Sequence, residues 1–109
     1  MDPEDESTEE NLEIIRNSTD AKGRPLIPII VKAPNYKKVR KSLYISKDSA
    51  IGYCNYYVCN KAVIVPYFGD KKADESAYKI FSENFPDRTV EFVNIDNIVN
   101  SGGSVHCVT

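Results

Sequence analysis

The chain has 109 residues, of which 41% are hydrophobic and 28% charged, with a formal net charge of −2. This is the balance of one ordinary folded domain with room for a small core. It argues against a nucleic-acid binder, which would be markedly basic, and no apolar run approaches the ~18 residues of a membrane span.

The charge is uneven. Residues 1–10 hold six acids and no base, which leaves ten acids against fourteen bases in the remainder. That N-terminal stretch lacks the basic and apolar regions of a secretory leader, so we expect a cytoplasmic protein. The basic residues cluster in Lys37-Lys38-Val39-Arg40-Lys41 and at Lys71-Lys72, which read as solvated loop charges. The three cysteines, Cys54, Cys59 and Cys107, are odd in number and include no C-x-x-C. They argue against a disulfide framework and against a metal site.

In chain order, residues 7–22 read as a helix capped by Ser7 or Thr8, with Leu12, Ile15 and Thr19 on one face beside Ile14, and Gly23 at its C-terminus. Leu26 to Val31 reads as a strand, demoted to an edge by Pro28. Residues 33–50 read as a long loop with a short strand at 43–45. Gly52 to Asn60 and Ala62 to Phe68 form a hairpin signal around Asn60-Lys61. In that first strand Cys54 and Cys59 fall on opposite faces as packed thiols, and Tyr53, Tyr57 and Phe68 form a core stripe. A helix over 73–84 presents Ala77, Ile80, Phe81 and Phe85, with Asp70 placed to cap it and Pro86-Asp87 to end it. Thr89 to Ile95 is a strand, Asp96 to Ser101 a loop with Asp96 as a turn former, and Val105 to Val108 a last strand. Arg24–Ile29 and Arg88–Val93 form a weak internal repeat, the second inside a complete strand, strand, helix, strand unit.

The stretch G-Y-C-N-Y-Y-V-C-N-K-A-V-I-V-P-Y-F-G-D (52–70), a helix followed by N-F-P, and S-G-G-S-V-H-C-V-T (101–109) together resemble the C-terminal part of agmatine deiminases. They are equally similar to bacterial, Porphyromonas-type peptidyl-arginine deiminases. The earlier N-L-E-I-I-R-N-S-T-D-A-K-G-R-P-L stretch (11–26) extends the resemblance over nearly the whole chain.

The resemblance implies an α/β fold, the last one to two ββαβ blades of a five-bladed pseudo-symmetric propeller. Residues 1–32 would end the penultimate blade, 33–50 connect, and 51–109 form the last blade with its nucleophile loop. Cys107 is then the nucleophile. It would convert a guanidine to a ureido group with ammonia release, agmatine to N-carbamoylputrescine, through a covalent intermediate and without cofactor or metal. Gly102, Gly103 and His106 would support that loop, with Tyr53, Asn55 and Asp70 as candidate channel-lining residues. On an extended strand His106 would face away from Cys107, so the two would not pair.

The sequence departs from the pattern at Lys61, where a glycine is usual, and at Ser101 and Ser104, where glycine and asparagine are usual. As implied partners we expect a small guanidine or an arginine side chain, the remaining deiminase blades and a homo-oligomer. The chain alone is expected to be inactive. The alternative is a non-catalytic remnant blade acting as an interaction module, in which Cys107 would be no more reactive than Cys54 or Cys59.

Overall fold

The computed structural model describes residues 6–43, 49 and 51–109, apart from the side chains of Glu6 and Ser7. Among them the elements run α1 (Glu6–Arg16), β1 (Tyr57–Val58), β2 (Ala62–Tyr67), α2 (Lys71–Asn84), β3 (Thr89–Asn94), α3 (Asp96–Val99) and a final 3₁₀ turn (His106–Val108). β1 pairs antiparallel with β2 across the Asn60-Lys61 turn, and β2 pairs parallel with β3 in register from Ala62↔Thr89 to Tyr67↔Asn94. The expected strand, strand, helix, strand order is therefore present.

The core lies between this sheet and α2. Val63 and Val65, two apart on β2, are both fully buried, as a half-covered strand requires. Ala77 and Phe81 face them from α2, four residues apart on one helical stripe, and Phe68, Val90, Ile95 and Val99 complete the cluster. Pro66 sits in β2 beyond the two residues that β1 covers. There one side of β2 has no partner among the described residues, so proline's missing N–H costs no ladder bond on that side.

Asp70 caps α2 as expected, accepting from the Ala73 N–H at 3.4 Å and also from the Asn35 N–H at 3.0 Å. The Asn35 bond comes first among the causes that hold its pKa below the usual carboxylate range. Asp74, one turn on, was not foreseen. It is buried and accepts from the Tyr53 hydroxyl (2.7 Å) and from the N–H groups of Phe68 (3.1 Å) and Gly69 (2.9 Å). One carboxylate thus satisfies the backbone where β2 ends and joins it to the 52–55 turn.

Several expected elements are shorter or absent. The first helix ends at Arg16, not 22. Asp20 then builds a separate turn, taking the N–H groups of Lys22 and Arg24 and the Arg24 guanidinium. Gly23, at φ +76°, serves that turn and is not a helix cap. Thr8 lies inside α1 and is buried; the Ser7 cap and the strand at 43–45 fall on residues outside the description, in whole or in part. Leu26–Val31 forms no strand: among the described residues the one isolated bridge is Thr19↔Pro25, and Ile27 is 83% exposed. The internal repeat therefore has one paired strand and one unpaired counterpart. The Gly52–Asn60 strand shrinks to Tyr57–Val58, because residues 52–55 turn. Tyr57 is consequently exposed, as is Cys54, and Cys59 is half-buried; none of these is the packed core residue expected.

Candidate active site

Three elements converge on Cys107. The first is the exit from α3. The Ser101 and Gly102 N–H groups bond back to the Ile98 and Val99 carbonyls, and Gly102 takes φ +80°. An L side chain resists that left-handed turn, so Gly102→Ala is expected to lower stability by about 1–2 kcal/mol, measured by urea unfolding. Gly103 has no such φ. It lies flat against the nucleophile candidate, since a Cβ there would sit 3.4 Å from Cys107 Cβ and 3.8 Å from its Sγ.

The second element is the last turn itself. Val105 is buried and anchors it, while Cys107, Val108 and Thr109 donate to the carbonyls three residues earlier. This overturns the expected Val105–Val108 strand. Among the described residues no partner strand reaches the segment, and its backbone groups are satisfied locally in 3₁₀ fashion. His106 and Cys107 therefore do not alternate across a strand; both side chains are exposed. His106 enters the site through its main chain.

The third element is the 52–55 turn, which delivers Asn55. Its Oδ1 accepts from the His106 N–H at 2.8 Å, and its Nδ2 donates to Cys107 Sγ at 3.2 Å. The backbone N–H can only donate, so it dictates the amide's orientation and leaves the donor end facing sulfur. This Asn55 bond is the main cause that holds the Cys107 thiol below its ordinary pKa, followed by the Ser104 backbone. A donor aimed at sulfur favours thiolate, the nucleophilic form. Ser104 is fully buried and its Oγ has no hydrogen-bond partner among the described residues.

The other expected site residues lie elsewhere. Tyr53 is 1% exposed, edge-on to Phe68 and bonded to Asp74. It packs inside the unit and lines no open surface. Burial, with the Asp74 carboxylate accepting its hydroxyl proton, pushes its phenol well above the ordinary range. Asp70 caps α2. Asp96 is not a simple turn former: it heads α3 and carries the Arg40 guanidinium. Arg40, grouped in the sequence with solvated lysines, is four-fifths buried at its side chain, while Lys37, Lys38 and Lys41 are exposed. Among the described residues no three His, Cys, Asp or Glu side chains gather as metal ligands, and no helix is long and apolar enough to cross a membrane.

A family model described as Porphyromonas-type peptidyl-arginine deiminase matches residues 1–109. The chain is 40% identical over 107 residues to a candidate agmatine deiminase of Streptomyces coelicolor, covering 98% of this chain and 30% of that protein. It is 36% identical over 124 residues to the agmatine deiminase of Medicago truncatula, covering 99% and 33%. The solved agmatine deiminase of Enterococcus faecalis superposes on 93% of this chain and 31% of its own, with a TM-score of 0.68 and 28% identity. The chain thus spans about a third of the length of the relatives it matches.

Proposed function

This chain belongs to the Porphyromonas-type peptidyl-arginine deiminase family, and on that premise we propose that it supplies the nucleophile of an agmatine deiminase-like hydrolase. The observation that carries the proposal is the Asn55 clamp. An exposed thiol with a depressed pKa sits on a short turn whose backbone and sulfur are held by the two ends of one amide. Placement of that kind is what an attacking group needs and an inert thiol does not.

In the proposed reaction the Cys107 thiolate attacks the central carbon of the substrate guanidinium. The tetrahedral adduct expels one nitrogen as ammonia, leaving an S-linked amidinium. Water then adds to the same carbon, the C–S bond breaks, the thiolate is regenerated and the ureido product leaves. Three proton transfers must be managed, one onto the leaving nitrogen and two off the water as it becomes the ureido oxygen. The one histidine of the chain, His106, enters the clamp through its main-chain N–H alone, and among the described residues neither its imidazole nor a carboxylate bonds to the Cys107 thiol. The acid/base group and the carboxylates that hold a planar guanidinium are therefore assigned to the other two thirds of the domain. In this reading residues 1–32 close the penultimate blade of a five-bladed propeller, 33–50 connect, and 51–109 form the last blade. The exposed Leu26, Ile27, Ile29 and Ile30 side chains fit an edge that other blades cover. Agmatine is the preferred substrate, following the names of the relatives.

The test is ammonia release from agmatine. The chain alone is expected to release none above a Cys107→Ser control. A chimera in which it replaces the matching third of the Medicago truncatula relative is expected to turn over, and to lose turnover with Cys107→Ser. A folded chimera without activity would overturn the proposal. Activity of the chain alone, lost with Cys107→Ser, would overturn the assignment of the acid/base groups to other blades.

A further inference from the structure

The segment before the 52–55 turn carries a side chain that the proposed reaction does not use. Arg40 reaches across 56 residues of sequence to Asp96, with Nη2 2.5 Å from Oδ1 and Nε 3.2 Å from Oδ2. The same Nη2 donates to the Tyr67 carbonyl at 2.7 Å, and the guanidinium lies 4.4 Å from the centre of the Tyr67 ring. Its own N–H donates to the Phe68 carbonyl at 2.7 Å. Ser42 Oγ adds a further bond to Asp96 Oδ2 at 2.6 Å. Gly69 leaves the space, since a Cβ there would sit 2.6 Å from Arg40 Cγ. The side chain thus fixes three things at once: its own segment, the end of β2 and the first residue of α3.

We propose that Arg40 is a positioning residue for Cys107, acting through Asp96 and α3. The inference rests on the nucleophile assigned above. α3 is a single turn, too short to hold its own direction. Its Ile98 methyl lies 3.9 Å from where a Cβ on Gly103 would stand, and Gly103 in turn contacts Cys107. Rotation of α3 would carry the Gly102 turn with it and separate Cys107 from Asn55, which comes from a different part of the chain. A fork that grips Asp96 at both oxygens resists that rotation; a single point charge would not.

The arrangement is a poor choice for stability alone. Arg40 Nη1 is buried with no hydrogen-bond partner among the described residues. A desolvated ion pair with an orphaned donor is commonly matched or bettered by apolar packing, so what it supplies here is geometry.

The test compares the pH profile of iodoacetamide alkylation at Cys107, resolved from Cys59 by peptide mass spectrometry, in wild type, Arg40→Ala, Arg40→Lys and Ser42→Ala. At neutral pH the Cys107 rate is expected to fall by about threefold or more in Arg40→Ala, less in Arg40→Lys and least in Ser42→Ala, with Cys59 unchanged. A folded Arg40→Ala chain with the wild-type Cys107 profile would overturn the proposal. If Arg40→Ala does not fold, the lysine and Ser42 variants decide: graded loss at Cys107 supports the proposal, and wild-type profiles in both overturn it. An ordinary thiol profile in the wild type itself would instead overturn the nucleophile assignment.

Discussion

Asn55→Ala is expected to slow alkylation of Cys107 at neutral pH and to move the midpoint of its pH profile upward. The alanine removes the amide donor to sulfur and the acceptor for the His106 N–H together. A thiol held below its ordinary pKa in the folded chain is more ionised at a given pH than a free one. Losing the donor that lowers it reduces the thiolate fraction, and the rate follows that fraction.

Asn55→Asp separates the two bonds. The carboxylate still accepts from His106 and keeps the turn in place, but it presents a negative oxygen to sulfur where a donor stood. The thiolate then faces a like charge, so the midpoint is expected to rise further than in the alanine variant. The predicted order of Cys107 reactivity is wild type, then Ala, then Asp. Equal rates in all three would mean that Asn55 only braces the turn and that sulfur gains nothing from it. Because Cys107 is exposed, the effect belongs in reactivity and not in global stability, and the unfolding midpoints of the Asp variant and wild type should nearly coincide.

What could be read in advance divides along a physical line. α2 was legible because its signals are local: an Asp cap, an apolar stripe at helical spacing, and Pro86 beyond its end. β2 and β3 were legible because alternating and continuous β-branched runs mark strands that are covered. Leu26–Val31 has the same composition and forms no strand, since pairing depends on a distant partner that composition does not contain. The Val105–Val108 error has the same origin. Cys107 and Asn55 are singled out as candidates by a motif, but the bond between them is not, because it depends on residues 52–55 turning where alternation predicts extension. Arg40 was hidden by its neighbours: four of five residues in its run are basic, and only the fold shows which one turns inward. Asp74 left a trace, an acid four residues after the cap in F-G-D-x-x-x-D, on the face that Ala77 and Phe81 continue.

Phe68→Ala is expected to be among the most damaging single truncations in the chain. Phe68 is fully buried where β2 ends, its ring edge-on to Tyr53 at 5.4 Å between centroids. Removing a buried phenyl group costs about 3–5 kcal/mol from lost transfer energy and the cavity left behind. A small domain has only about 5–15 kcal/mol in total, so the variant should lose a large part of it, seen as a fall in the urea midpoint at unchanged slope. Position adds to volume here. The Phe68 N–H donates to Asp74 and its carbonyl accepts from Arg40, so a backbone that relaxes into the cavity strains both. Through Asp74 and Arg40 those two contacts support the 52–55 turn, which carries Asn55, and α3, whose exit leads to the Cys107 turn. Collapse into the cavity should therefore lower Cys107 reactivity in whatever folded population remains. Tyr57→Ala, truncating an aromatic that is 40% exposed on β1, should change stability by only about 0.5 kcal/mol and leave that reactivity intact. Comparable losses in the two variants would mean that the sheet does not pack on α2 as described.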